Sequence, residues 1–330
     1  MSVIETRDLS RRFAGGVAAV DGLTMRVEAG EIFAFLGPNG AGKTTTIRIL
    51  VTLLKPTGGE ATVAGHDVVR EAGRVREKIG IALQEAALDP LMTGVECLDL
   101  QASLYGVPDA TARQRRDELL ESVELVDAAS RRVGTYSGGM RRRLDLAMAL
   151  IHRPEVLFLD EPTTGLDPGS RQTIWERVRE LAAAGTTIFL TTQYLEEADR
   201  LAGRVMIIDS GNAIAEGTPA QLKAEFGAPR IEITIEERVA EAVLPRLARF
   251  GTARVERPGV ISLATEGELP SVGAIAGAFE GESACVRSIE VVEPTLDDVF
   301  LARTGHQLKE SAAEGAAPPD ERREAQLPGG

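Results

Sequence analysis

The first 83 residues carry short apolar runs separated by turns and by one segment with helical spacing. Residues 1–35 alternate like edge strands, and the apolar run at 32–36 leads directly into a glycine-rich loop. Apolar side chains then recur at helical spacing over 47–54, and a strand pair is predicted around 61–69 and 79–83. This succession of strand, loop and helix is typical of an α/β fold.

Three later runs are continuous rather than alternating, at 156–159, 187–190 and 205–208. Runs of this length, bounded by turns, are typical of strands buried on both faces of a parallel sheet. The segment from about 85 to 134 is rich in Ala, Leu, Arg and Glu and predicts a helical insertion. We therefore predict a parallel core sheet interrupted by helices.

A second unit begins after Pro229. Alternating isoleucines at 231–235 open it, and a helical stretch interrupted by Pro245 follows. Two short strands, a small-residue helix and a last strand complete the order βαββαβ, which fits a ferredoxin-like domain. We expect a closing helix at 295–301, with Thr295 as its cap and an acidic first turn.

These patterns divide the chain into three predicted parts. An α/β domain occupies residues 1–225, and a small α+β accessory domain occupies residues 228–304. Residues 305–330 contain too few apolar side chains to bury a core, so we expect a disordered tail there.

Composition narrows the possible partners and compartments. The formal net charge of -13 over 330 residues disfavours attachment to nucleic acid, which requires Lys and Arg to neutralise phosphates. No stretch approaches the roughly 18 apolar residues of a membrane span, and no secretory leader is evident, so we expect a cytosolic chain. Cys97 and Cys285 lack metal-binding neighbours and are expected to be reduced, buried thiols.

The glycine-rich loop after the third predicted strand matches the P-loop pattern, as Gly37-Pro38-Asn39-Gly40-Ala41-Gly42-Lys43-Thr44. Its glycines allow successive N–H groups to converge on phosphates at a helix N-terminus. Lys43 adds a positive charge there, and Thr44 offers a hydroxyl to Mg²⁺. The loop therefore predicts binding of a nucleoside triphosphate with Mg²⁺.

Two carboxylates follow the apolar run at 156–159, where the strand meets the ligand-binding edge of an open α/β sheet. We expect Asp160 to bind Mg²⁺ through water. Glu161, one residue later, is a candidate general base for an attacking water molecule.

A second glycine-rich turn, Tyr136-Ser137-Gly138-Gly139-Met140, precedes apolar side chains at helical spacing. The free N–H groups at such a helix start form a second candidate phosphate site. The three arginines that follow, 141–143, are expected to form a solvated helix face.

In this order, the motifs resemble the nucleotide-binding subunit of an ATP-binding cassette (ABC) transporter. The resemblance covers roughly residues 2–225 and rests on residues 37–44, Gln84, residues 136–140, Asp160-Glu161 and Gly165-Leu166-Asp167. It implies the P-loop NTPase cassette fold, with a core sheet of mainly parallel strands, an antiparallel β subdomain and an α-helical subdomain at about 85–150.

The resemblance also implies a head-to-tail homodimer in which the serine-glycine turn of one subunit closes over ATP held by the P-loop of the other. It implies nucleotide binding by Phe13, Gly37, Pro38, Asn39, Gly40, Ala41, Gly42, Lys43, Thr44, Thr45, Ser137, Gly138, Gly139 and Asp167. The implied catalytic residues are Glu161, Gln193, Gln84 and Lys43, and the implied Mg²⁺ ligands are Thr44, Gln84 and Asp160. In this scheme Phe13 stacks on adenine and Asp167 communicates across the dimer.

Three positions depart from the usual family pattern. Phe13 replaces a tyrosine and keeps the aromatic face that can stack on adenine. Met140 replaces the usual glutamine of the family's signature motif, which is the turn at 136–140. Gln193 replaces the switch histidine, and an amide can donate to a phosphate oxygen but cannot titrate near neutrality. We expect hydrolysis to survive at a reduced rate.

Three segments narrow the resemblance to daunorubicin-resistance-type ATPases: the turn at 136–140, residues 191–198 and the C-terminal motif at 293–300. Such subunits work with a separate permease of the ABC-2 type. The resemblance therefore implies a peripheral protein on the cytoplasmic face of a bacterial membrane, which contacts the membrane only through its permease. Residues 85–105 are where that permease would dock, although core packing explains their apolar side chains equally well.

Three alternatives from other classes remain. A DNA-repair ATPase requires a long heptad arm between the P-loop and Asp160, which is absent from this sequence. A translation ATPase normally carries two cassettes, and one is present here. A nucleotide-sensing scaffold with little turnover is disfavoured by Glu161 but is compatible with Gln193.

Overall fold

The structure is a computed structural model that describes residues 1–83, 88–227, 229–236, 240–265, 270–279 and 286–304. Its strands are β1 (Ser2–Arg12), β2 (Ala18–Glu28), β3 (Ile32–Leu36), β4 (Gly58–Val63), β5 (His66–Asp67), β6 (Ile79–Ala82), β7 (Val156–Asp160), β8 (Thr187–Thr192), β9 (Arg204–Asp209), β10 (Asn212–Gly217), β11 (Arg230–Ile235), β12 (Thr252–Arg257), β13 (Val260–Ala264) and β14 (Val286–Val292). Its helices are α1 (Lys43–Leu50), α2 (Ala72–Lys78), α3 (Gly94–Leu104), α4 (Asp109–Ser122), α5 (Gly138–Leu150), α6 (Pro168–Ala183), α7 (Leu195–Leu201), α8 (Pro219–Phe226), α9 (Ala240–Leu247), α10 (Val272–Ala276) and α11 (Leu296–Thr304).

The central sheet has six strands in the order β10-β9-β3-β8-β7-β6. All neighbours are parallel except the hairpin of β9 and β10. Every residue of β7 and β8 is buried, which explains the apolar runs at 156–159 and 188–190 within them. The parallel arrangement brings the carboxyl ends of β3, β8 and β7 to one edge, and this confirms the predicted α/β core.

A second sheet, in the order β2-β1-β4-β5, is antiparallel throughout. The expectation of edge strands at the N-terminus holds for β2 but is wrong for β1, which lies between β2 and β4. One buried core fills the space between the two sheets and surrounds α1.

The prediction of a strand pair around 61–69 and 79–83 is wrong, because the two segments belong to different sheets. The first is the short hairpin of β4 and β5, whereas β6 pairs in parallel with β7 at the edge of the central sheet. The helix α2 lies between them and was not predicted. Its seven residues bury only Val75, so the sequence carries no apolar stripe that would reveal it.

Helices α3, α4 and α5 form the predicted helical insertion. Thr93 caps α3 in a reciprocal capping box with Glu96, and the Tyr136 hydroxyl donates to the Ala128 carbonyl at 2.7 Å. Cys97 is buried and unpaired, as expected, whereas Cys285 lies outside the described residues.

The C-terminal unit contains an antiparallel sheet in the order β12-β13-β11-β14. It has its own buried core, which includes Ile233, Ile261 and Phe279. The strand β11 lies between β13 and β14, an order compatible with a ferredoxin-like unit. That interpretation and the domain boundaries stay predictions, and the predicted tail lies outside the described residues.

The final helix α11 returns to the cassette. A capping box of Thr295 and Asp298 opens it, as the sequence indicates. Leu296, Val299 and Phe300 join the buried core that also contains residues of α7 and α8. The motif at 293–300 therefore attaches the end of the described chain to the α/β core that contains α7 and α8. In the part of the chain that the structure describes, no helix has the length and apolarity needed to cross a membrane.

Phe300 provides a test of this attachment because its side chain is completely buried. We expect Phe300→Ala to destabilise the protein by about 3–5 kcal/mol, through lost burial and the cavity left behind. The neighbouring Leu301, 39% exposed, is the matched control, and Leu301→Ala should change stability by less than about 1 kcal/mol. Urea unfolding measures both, and equal effects of the two variants would contradict the packing of α11.

Candidate functional site

The P-loop joins β3 to α1 at the ligand-binding edge of the central sheet. Gly42 caps α1 with φ of +106°, and a Cβ atom at this position would lie 2.2 Å from the Ala19 carbonyl oxygen. Only glycine fits both the backbone angle and the close approach of β2. The first N–H groups of α1, starting at Lys43, are thereby left facing the loop.

A cavity of about 520 Å³ lies in front of this loop. It is lined by Phe13, Val17, Ala19, Pro38, Asn39, Gly40, Gly42, Lys43, Thr44, Thr45 and Glu161. Phe13 is 41% exposed, with the Arg11 guanidinium 4.8 Å from its ring centre. Two predicted P-loop residues, Gly37 and Ala41, do not line the cavity: Gly37 faces Ile208, and Ala41 is buried in the core.

Lys43 and Glu161 face each other in this cavity. The Lys43 Nζ lies 3.1 Å from the Glu161 Oε1 and donates to the Gly37 and Pro38 carbonyl oxygens at 2.8 and 3.1 Å. Their side chains are only 4% and 6% exposed, so each compensates the other's charge where water is scarce. The Thr164 hydroxyl also donates to the Glu161 Oε2, at 3.2 Å.

The backbone of Glu161 is strained, with φ of +48°. Its N–H donates to the Thr191 carbonyl at 3.1 Å and lies 3.2 Å from the Thr191 hydroxyl oxygen. The end of β8 therefore holds the candidate general base in a conformation that glutamate rarely adopts.

Asp160 and Thr44 form a candidate cation site. The Thr44 hydroxyl lies 3.4 Å from the Asp160 Oδ1, which also accepts from the Thr191 hydroxyl at 2.5 Å. The Asp160 Oδ2 is buried and has no hydrogen-bond partner in the described residues. Hydroxyl and carboxylate oxygens are the ligands that Mg²⁺ prefers, and the orphaned oxygen fits such an ion or its water.

Another predicted site residue, Gln193, follows a strand end at the same edge. Gln193 comes directly after β8 and is 9% exposed, and the Thr192 carbonyl accepts from the Gly37 N–H at 3.3 Å. The segment that contains Gln193 is thus hydrogen-bonded, through Thr192, to the start of the P-loop. Gln84 lies outside the described residues.

The serine-glycine turn lies apart from this cavity. Ser137 caps α5 by accepting from the Met140 N–H at 3.2 Å, and Ser137 and Gly138 are exposed. A Cβ atom on Gly139 would come within 2.9 Å of the Ser170 hydroxyl oxygen, whereas one on Gly138 would meet open space. Gly139 therefore allows close packing within the chain, and Gly138 faces outward.

Asp167 caps α6. Its carboxylate accepts from the Ser170 N–H at 3.0 Å and from the Ser170 hydroxyl at 2.6 Å. These hydrogen bonds, the hydroxyl first, lower the pKa of Asp167. The side chain is exposed beside the turn that contains Ser137, but in the single chain its contacts are those of a helix cap.

Sequence reasoning missed Arg142. The expectation of a solvated face at 141–143 is wrong for this residue, whose side chain is 10% exposed. Its guanidinium donates to the Asp160 and Pro162 carbonyls at 2.9 and 3.0 Å, and also to the Leu83 carbonyl. Asp145 lies 3.3 Å away on the same helix. Arg142 and Asp145 have i,i+3 spacing, but Arg141 has i,i+4 spacing from the same carboxylate, so the sequence alone does not single out Arg142.

Burial acts on both members of this pair. It lowers the pKa of Arg142 and raises the pKa of Asp145 to about 6, and in each case the partner's charge opposes the shift. A second buried acid, Glu197, has its pKa raised by burial while accepting from the Thr163 hydroxyl and the Trp175 Nε1. These hydrogen bonds connect α7 to α6 and to Thr163, which lies two residues after Glu161 in the chain.

Known proteins resemble this chain over most of its length. The family model described as "ABC transporter" matches residues 20–164. The daunorubicin resistance ATP-binding protein DrrA2 of Streptomyces coeruleorubidus is 46% identical over 322 residues, covering 95% of this chain and 98% of that protein. The Nod factor export ATP-binding protein I of Ralstonia nicotianae is 39% identical, covering 93% and 95%.

Solved structures show the same fold. An ATP-binding subunit of an ABC transporter, 29% identical, superposes with a TM-score of 0.63 over 68% of this chain and 93% of that one. The dimeric post-hydrolysis state of the cassette MJ0796, bound to ADP and phosphate, is 25% identical, with a TM-score of 0.60 over 65% and 98%. The chain therefore belongs to the ABC transporter ATP-binding proteins, a family of ATP-hydrolysing cassettes.

Proposed function

We propose that this chain is the ATP-hydrolysing subunit of an exporter. Two copies close head to tail around two MgATP, and their closing and opening drive a drug, antibiotic or other hydrophobic compound out through a separate ABC-2-type permease. We place the protein at the cytoplasmic face of a bacterial membrane.

The observation that carries this proposal is that the cavity in front of the P-loop is lined on one side only and is open on the other. It brings together the ring of Phe13, the N–H groups of the P-loop and the carboxylate of Glu161. The turn at 137–139 does not line it, and Gly138 faces open space. A second copy supplying that turn would complete the phosphate site from the opposite side.

In this scheme the triphosphate replaces Glu161 as the ionic partner of Lys43. Its oxygens compete with Glu161 for the ammonium group, so nucleotide binding frees the carboxylate to accept a proton from water. The strained backbone of Glu161, bonded to Thr191, keeps that carboxylate at the sheet edge. Lys43 changes partners without leaving the buried site.

Mg²⁺ neutralises phosphate charge when bound with ATP. Thr44 would hold it by its hydroxyl, and Asp160 through its Oδ2 and a water molecule, with Gln84 as the third predicted contact. We place Gln193 near the γ-phosphate as a hydrogen-bond donor.

Relatives support the export role. The names of two relatives refer to daunorubicin resistance and to Nod factor export. A family of ATP-binding subunits also implies a membrane partner. We infer that the cargo binds that partner rather than this chain.

Glu161→Gln tests the nucleotide sandwich. Because the amide oxygen can still accept from Lys43, we expect a folded variant that binds MgATP but hydrolyses it about 100-fold more slowly or worse. It should accumulate as an ATP-dependent dimer in size-exclusion chromatography with light scattering. Glu155→Gln, at an exposed position before the same strand, is the control and should remain active. A monomeric Glu161→Gln protein at saturating MgATP would rule out the sandwich.

Gln193 can be tested by steady-state ATPase measurements. Removing its amide should cost roughly 1 to 1.5 kcal/mol, so Gln193→Ala should lower kcat about tenfold. Gln193→His restores a ring that can titrate and should equal or exceed the wild-type kcat. An alanine variant with unchanged kcat would make Gln193 a bystander.

Export can be tested in cells that produce this chain together with a candidate ABC-2-type permease from the same genome. We expect lower daunorubicin accumulation than in cells with either protein alone, measured by cell fluorescence. Glu161→Gln in the same pair should abolish the difference. If accumulation falls equally with that variant, the effect is not driven by ATP hydrolysis in this chain.

A further inference from the structure

Arg142 connects the helix that starts with the serine-glycine turn to the edge that carries the hydrolytic residues. Its guanidinium donates from Nη2 to the Asp160 carbonyl at 2.9 Å and from Nε to the Pro162 carbonyl at 3.0 Å. Those two carbonyls lie immediately before and after Glu161 in the chain. A third bond, from Nη1, reaches the Leu83 carbonyl at the end of the neighbouring strand.

These contacts cross between two parts of the molecule. α5 belongs to the helical subdomain and begins at Gly138. Of the three carbonyls, that of Asp160 ends β7, whereas those of Leu83 and Pro162 lie in the segments that directly follow β6 and β7. A rigid, planar guanidinium that bonds several backbone groups fixes their relative position more firmly than a flexible ammonium would. A small rotation of α5 would therefore be felt at the backbone on both sides of Glu161.

Burying the ion pair of Arg142 and Asp145 costs desolvation free energy, which an apolar pair at the same place would not cost. Arg142 and Asp145 have side chains 10% and 13% exposed, and burying two charges is often no more stabilising than apolar packing of the same volume. A residue placed here only for stability has cheaper alternatives. The bonds to carbonyl groups are what an apolar side chain cannot provide.

We propose that Arg142 is a positioning residue for hydrolysis: it transmits the position of the signature helix α5 to the backbone that flanks Glu161. This inference rests on the proposed dimer, because α5 is positioned by the partner's ATP only there. A copy whose turn has engaged the partner's nucleotide would then hold its own Glu161 in the hydrolytic geometry.

Arg142→Gln tests the proposal through the split between binding and turnover. Displacing a catalytic group by about 1 Å can lower rates about 100-fold, so we expect kcat to fall by that order while KM for MgATP changes less than about twofold. Arg143→Gln is the matched control, since Arg143 bonds to Val123 and Glu124 and not to the strand ends. A wild-type kcat for Arg142→Gln would overturn the proposal.

A double variant separates positioning from stability. Arg142→Gln alone leaves Asp145 buried without its cation and should lower Tm, whereas Arg142→Gln with Asp145→Ala removes both charges and should restore Tm. We expect kcat to stay low in the double variant. Recovery of kcat together with Tm would show that Arg142 acts only on stability.

Arg142→Lys keeps the charge, but its three N–H donors radiate from one nitrogen atom and cannot reproduce the fixed fork by which the guanidinium reaches carbonyls on both sides of Glu161 and at Leu83, so its kcat should also stay low. Full activity of this variant would overturn the geometric argument. The Glu161→Gln dimer is measured separately. If that dimer fails to form, the proposed function fails. If it forms while Arg142→Gln keeps full kcat, only the positioning role fails.

Discussion

The ammonium group of Lys43 depends on oxygen atoms from two distant segments of the chain, and this requirement organises the site. Two P-loop carbonyls and the Glu161 carboxylate surround it where little water can reach. Bringing Glu161 within 3.1 Å requires β3 and β7 to end at the same edge, with β8 between them. The parallel order of these strands is therefore the condition for a buried charge pair at the phosphate site.

The strand β8 aligns the other two. Thr191 stands level with Phe35 of β3 on one side and with Asp160 of β7 on the other. Its hydroxyl bonds to the Asp160 carboxylate, and its carbonyl accepts from the Glu161 N–H. One threonine thus orients the candidate Mg²⁺ ligand and holds the strained backbone of the candidate general base, so the positions of these two residues are coupled.

Local patterns predicted the part of this arrangement that depends on local physics. The P-loop needs glycines at a helix start, and buried parallel strands need continuous apolar runs, so both were visible in the sequence. The hairpin strand β10 was missed because its residues alternate too weakly to reveal a strand. The turn before it, at Ser210 and Gly211, has positive φ at both residues, but a serine-glycine pair alone does not predict that a strand follows. The helix α2 was missed for the related reason that it buries one side chain.

Arg142 shows why the rest could not be predicted. Three consecutive arginines have the composition of a solvated helix face, and nothing local distinguishes the middle one. Its burial follows from tertiary packing, which places backbone carbonyls of Leu83, Asp160 and Pro162 within its reach. A charged side chain in such a position is detectable only after the strand ends have been placed.

The two glycines of the turn at 137–139 have different surroundings: Gly139 packs within the chain, and Gly138 faces open space. Gly139 packs so closely on Ser170 that a side chain would collide within the monomer, which explains it by the fold alone. Gly138 has no such neighbour, and the same fold leaves open space around it. A glycine without an internal steric reason, at an exposed helix start whose N–H groups suit phosphate, points to a close approach from outside the chain. In the proposed dimer, a second copy of this turn would supply N–H donors to the open side of the cavity at Lys43.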